Sequence, residues 1–275
     1  MKQTFFHKFA AVVLQRSSPL IIYGYITLTM VAIYGNYTVI VNGLSQLIGS
    51  VFNSMGAGIG NLIAEGNQEK ILRIFRELFS IRFAIAFFFA FGVFILSQPF
   101  ISNWVGHEYL LPTGTVGLIS ILFFINISRN TVDLFLGTQG MCKDIWAAIL
   151  ETCLNLGGSI VLGYFFGLNG IISGVIFSLA IIVLIWKPIF LFREGFKVSV
   201  FKYVKLYISH VVIALFVSSV VVWMCGLIEI SPYDGWKSLI LYAICVMGLF
   251  FAIYSVILYI TMPGIRDFVK RIKSI

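Results

Sequence analysis

Apolar positions in this chain do not alternate with polar ones. They run together in stretches about as long as a bilayer is thick, separated by short polar clusters. A helix needs about 20 apolar residues to cross hydrocarbon. That length predicts eight spans, at about Phe9 to Tyr34, Tyr37 to Ala64, Phe83 to Trp104, Thr113 to Phe135, Ile145 to Phe166, Gly170 to Trp186, Leu206 to Leu227 and Leu239 to Met262. Membrane strands would show segments of about 10 residues with alternating polarity, and these runs are longer and uniformly apolar. The expected class is all-α, a polytopic helical membrane protein. Short connections make it one folding unit, with a boundary around Arg193 to Lys205.

Polar residues inside the runs carry the functional information. In the second span Asn42, Gln46, Gly49, Asn53, Gly56 and Gly60 recur at steps of four and three, a single helix face about 27 Å long. Small residues at GxxxG spacing let a neighbouring backbone approach, so amides acting as packing glue are one reading. Polar groups at this depth also face bundle interiors or water-filled cavities, which is the other. In the fourth span Asn126, Arg129, Asn130 and Asp133 stand at i, i+3, i+4 and i+7. In the fifth, Glu151 and Asn155 are i and i+4, with Gly158 and Ser159 continuing the face. Either the three stripes converge on a shared hydrophilic cavity, or Arg129 and Glu151 form a static ion pair tying two helices together.

Composition agrees with the pattern. The chain is 60% hydrophobic and only 11% charged, with a mean hydropathy of +1.01, too apolar for a soluble domain. Its net charge of +8 carries no nucleic-acid signal, because the basic residues sit in short connections. With both termini cytoplasmic, every Lys and Arg but Lys237 falls on the inner side, as the positive-inside rule requires. Cys142, Cys153, Cys225 and Cys245 form no CxxC and have no histidine ligand set nearby. No phosphate-binding loop, HExxH or GxSxG is present, so no enzyme, cofactor or metal site is expected.

Three further segments carry expectations. The apolar FAAVVL near the N-terminus is too short for a signal peptide; Arg16, Ser17, Ser18 and Pro19 break the first span there, or Arg16 snorkels from an interfacial start. GNQEKILRIFRELFSIRF is expected to lie on the cytoplasmic surface as an amphipathic helix, resting Leu72, Phe75 and Phe79 on the membrane. The last two spans lack a polar stripe, and apart from His210 they lack charge, so they should face lipid or flank a groove.

The ordered set VAIYGNYTVIVNGLSQLIGSVFNSMGAGIGNLIAEGNQEK, FISNWVGHEYLL, FFINISRNTVDLF, ILETCLNLGGSIVLGYFFGLNGIISGV and KPIFLFREGFK resembles the second half of a bacterial polysaccharide biosynthesis flippase. Such O-antigen and capsule transporters belong to the multidrug/oligosaccharidyl-lipid/polysaccharide superfamily. The resemblance spans nearly the whole chain and is densest from Tyr34 to Lys197. It implies two six-helix lobes facing one another, with residues 1–193 as the second lobe and 194–275 as two additional helices. It also implies translocation of an undecaprenyl-pyrophosphate-linked oligosaccharide across the inner membrane by alternating access. On that map Arg129, helped by Arg16, would attract the pyrophosphate. Asn42, Gln46, Asn53, Asn126, Asn130 and Asn155 would meet sugar hydroxyls, while Asp133 and Glu151 would balance charge or accept a coupling proton. Many relatives carry an acidic residue where this chain has Ser18. The expected partners are the lipid-linked oligosaccharide, membrane lipids, and either a separately encoded first lobe or a second copy. A multidrug or cation exporter, and a non-transporting fragment or scaffold, are the alternatives.

Overall fold

The computed structural model describes Gly24 and residues 27–273 other than 54, 142–144 and 228. Arg16, Ser18 and Cys142, and the first span as far as Ile26, lie outside the described residues except for Gly24. Nothing among the described residues is a strand. Among the described residues, five helices are long and apolar enough to cross a membrane, or six when one bent pair is counted as a span.

The bent pair is α1 (Leu28–Asn53) and α2 (Met55–Ala64), inclined to one another by 43°. Helix α1 runs unbroken through Gly35 and Asn36, so the expected division between first and second spans at Tyr34 to Tyr37 is not there. Nothing in that stretch stops a helix: Gly35 lowers propensity, but no proline or capping signal accompanies it.

Helix α3 (Gln68–Trp104) is 37 residues long, about 55 Å at the helical rise and so longer than the hydrocarbon is thick. Asn67 caps its start by accepting from the Lys70 amide at 3.0 Å. The charged segment expected to lie on the membrane surface is therefore the opening of this helix. Its apolar face meets protein instead of lipid. Phe75 is fully buried, edge-on to Phe135, Phe192 and Phe196 at 5.2 to 5.3 Å, and Phe79 packs against Tyr203. Each such burial stabilises by about 1.5–3 kcal/mol, more than an interfacial position returns.

Pro112 starts α4 (Thr113–Ser128), which continues with almost no interruption into α5 (Asn130–Thr138). Next, α6 (Ile145–Leu179) contains Gly167 at φ 57°, ψ −134°, a conformation essentially confined to glycine. In a straight helix Gly158 and Gly174 would lie about 24 Å apart, yet a Cβ added to Gly174 would overlap the backbone of Gly158 and Ser159. A Cβ at Gly170 would likewise strike the Leu162 carbonyl. The chain thus doubles back at Gly167, and the expected fifth and sixth spans are the two limbs of one tight hairpin. Ser159 Oγ donates across it to the Ile171 carbonyl at 3.1 Å.

The returning limb ends in π-helical turns at Ala180–Trp186, a short α7 (Lys187–Phe190) and a second π-helical stretch, Leu191–Gly195. Then α8 (Phe201–Cys225) and α9 (Trp236–Thr261) form a pair packed against α3. Both are far less buried than α3. His210 is enclosed where α8 meets α3, its Nδ1 at 2.8 Å from the Leu206 carbonyl and its ring against Phe79 and Phe83.

The amphipathic α10 (Pro263–Lys273) folds back onto the opening turns of α3. Gly264 makes this possible, since a Cβ there would lie 2.6 Å from Ser80 Oγ and 2.7 Å from the Arg76 carbonyl. Arg271 pairs with the buried Glu77 at 3.1 Å.

Candidate functional site

The site grows from the junction of α4 and α5. Because the Arg129 amide still bonds the Ile125 carbonyl at 3.0 Å, helical phase is kept and Asn126, Arg129, Asn130 and Asp133 stay on one face. Arg129 is the hub. Its Nε donates to Asp133 Oδ2 at 2.9 Å, and its Nη1 donates to Glu151 Oε1 on α6 at 3.3 Å. Lys187 Nζ, from the returning limb, donates to Asp133 Oδ1 at 2.8 Å. Two cations and two carboxylates from three stretches of chain neutralise one another. The Arg129–Glu151 ion pair, named above as the alternative to a shared cavity, is present, and both oxygens of Asp133 are occupied.

Beside this cluster is a cavity of about 270 Å³ lined by Ile48, Gly49, Phe52, Arg82, Ile127, Asn130, Asp133 and Leu134. The Arg82 guanidinium lies over the Phe52 ring, 4.2 Å from its centroid. Through Gly49 the cavity meets a more open cleft lined by Asn42, Ser45, Gln46 and Ser50. The α1 stripe from Asn42 to Gly49 is therefore an open polar face that adjoins, at Gly49, the cavity holding Arg82, Asn130 and Asp133.

Not every expected residue joins it. Asn42 and Gln46 are exposed in the cleft, and Asn130 is exposed at the cavity, its Nδ2 donating to the Asn126 carbonyl at 3.1 Å. Asn126 is exposed but lines neither hollow. The Asn53 side chain lies outside the described residues, as does Arg16. Asn155 is buried, with no partner for its Oδ1 among the described residues. Gly158 and Ser159, on the same face, pack against the returning limb. The fifth-span stripe thus gives Glu151 to the cluster and spends the rest of its length inside the hairpin.

Two residues of the site are not singled out by the sequence, Arg82 and Lys187. Both group there with the basic residues that set orientation. For Arg82 a signal exists: it directly precedes the apolar run starting at Phe83, so it sits deeper than Arg73 or Arg76. For Lys187 no spacing rule applies, because each π-helical turn before it holds an extra residue and rotates the later residues out of α-helical phase. No family model, curated protein or solved structure matches the chain.

Proposed function

We propose that the chain is part of a flippase that moves an undecaprenyl-pyrophosphate-linked oligosaccharide across the bacterial inner membrane by alternating access. In this reading it has eight spans and cytoplasmic termini; residues 1–193 form one lobe and 194–275 two accessory helices. The observation that carries the proposal is the exposure of Asn42 and Gln46 on an open polar face adjoining the cavity of Arg82, Asn130 and Asp133. Amides serving as packing glue would be buried against a neighbour. At membrane depth an open polar wall has to meet water, cargo or an opposing lobe, and amides suit sugar hydroxyls because they both donate and accept.

The test replaces the wall without touching the charges. In the complete two-lobe transporter, Asn42→Leu with Gln46→Leu is expected to abolish surface glycan at normal protein levels. Loss of resistance to hydrophobic cations with glycan unchanged would favour the exporter, and no change in either would favour a scaffold.

A further inference from the structure

Charge balance around the cleft leaves one group over. Arg129 and Lys187 are matched by Asp133 and Glu151 through contacts of 2.8 to 3.3 Å. Arg82 is only 7% exposed and makes no hydrogen bond or ion pair among the described residues. Its nitrogens are not among the fully buried unpartnered atoms and open on the cavity, and the carboxylate that shares that cavity, on Asp133, is already doubly engaged. The Phe52 ring satisfies only the face of the guanidinium. In-plane N–H donors remain, and they are the ones that form bidentate bonds to oxyanions.

We propose that Arg82 is the anion-holding residue of the cleft and takes a phosphate or diphosphate group into the cavity it lines with Asn130. The inference rests on the transport reading only for the source of that group, a lipid headgroup or a free anion. At about 270 Å³ the cavity is smaller than usual ligand pockets. It holds a headgroup and leaves an attached glycan to the open cleft beyond Gly49. This assignment moves the anion from Arg129, whose donors are already committed to two carboxylates, to a cation with none.

Gly49 supplies a second handle. It lines both hollows, and a Cβ there meets nothing within 4 Å, so Gly49→Ile should obstruct the passage without disturbing packing. The experiment titrates the purified chain in neutral maltoside micelles with inorganic pyrophosphate and, separately, with farnesyl pyrophosphate, read by calorimetry. Arg82→Gln should weaken binding by roughly ten- to a hundred-fold, the loss of one charge-assisted pair, with Arg82→Lys intermediate and Gly49→Ile also weakened. Equal dependence on Arg82 for both probes identifies a free anion as sufficient; dependence for the prenyl probe alone identifies the lipid headgroup. Absence of binding to both, or Arg82→Gln binding as tightly as the parent, overturns the proposal. If Arg82→Gln does not fold, undiminished binding by Gly49→Ile overturns it too. Failure here is separable from failure of the transport reading. Arg82-dependent binding with surface glycan unchanged in the Asn42→Leu/Gln46→Leu transporter would remove the flippase and keep the anion site; loss of export in that variant without Arg82-dependent binding would do the reverse.

Discussion

Lys187 reaches Asp133 across 54 positions of sequence and bonds it at 2.8 Å, fastening the returning limb of the hairpin to α5. Since Arg129 holds the other oxygen of the same carboxylate, Asp133 is the joint through which both cations are fixed.

Removing that carboxylate should therefore cost more than removing either cation. Asp133→Ala is expected to destabilise by about 1.5–3 kcal/mol, the range for charge-assisted hydrogen bonds lost at a partly exposed site. Adding Lys187→Met should recover part of the loss, because it removes a stranded charge. Thermal melting of the two single variants and the double in detergent measures the coupling; additive effects would mean that the two side chains do not act together.

The hairpin makes a sharper claim. Gly170→Ala and Gly174→Ala place a methyl against backbone, which cannot move aside, whereas Gly157→Ala adds one where nothing lies within 4 Å. Expression followed by size-exclusion chromatography should yield monodisperse protein for Gly157→Ala and aggregated or absent protein for the other two.

At the end of α10, Arg271→Ala should strand Glu77, which is buried while Arg271 itself is about 41% exposed in its side chain. Partial exposure of the arginine screens the pair, so a loss of roughly 1–2 kcal/mol is expected. Glu77→Gln in the same protein should restore most of it. Lys273→Ala, lying exposed in the last turn, should melt with the parent.

Orientation has a direct assay. In a cysteine-free background, a membrane-impermeant thiol reagent added to intact cells should label a cysteine placed at Asp234 and leave one at Asp267 unlabelled. The reverse pattern would invert the orientation and overturn cytoplasmic termini.

The transport proposal also predicts dependence on a partner lobe. These 275 residues expressed by themselves are expected not to restore surface polysaccharide in a strain lacking its flippase, and a matching six-helix first lobe should rescue it. Restoration by the chain alone would mean that two copies complete the groove.

Helices were legible wherever apolar length decided them, as from Thr113 onward or from Trp236 to Thr261, because hydrocarbon permits little else. What one-dimensional periodicity could not convey was company. Phe75 reads as a membrane-facing residue until α10, Phe192 and Tyr203 arrive from far along the chain to cover its helix. The stripe across α4 and α5 was visible because α-helical phase kept it in register, whereas the one expected to run as a single face from Asn42 to Gly60 is broken by the 43° bend, with Gly56 and Gly60 on α2. Lys187 was hidden because π-helical turns break that phase, and Asn155 was misplaced because close glycine contacts turn its face into the hairpin.

The hairpin also bears on how the chain enters the membrane. Its first limb carries Glu151 and Asn155, groups that raise the cost of inserting a single helix by a few kcal/mol. Contacts running from Gly158 against Gly174 up to Leu162 against Gly170 need only the residues around Gly167, so the limbs can close on each other as soon as the second is made. The hairpin contacts begin at Gly158, while Glu151, nearer the start of the limb, is met by Arg129. The glycines that set the tightness of the turn thereby set how closely the limb bearing Glu151 and Asn155 is covered by the one that follows it.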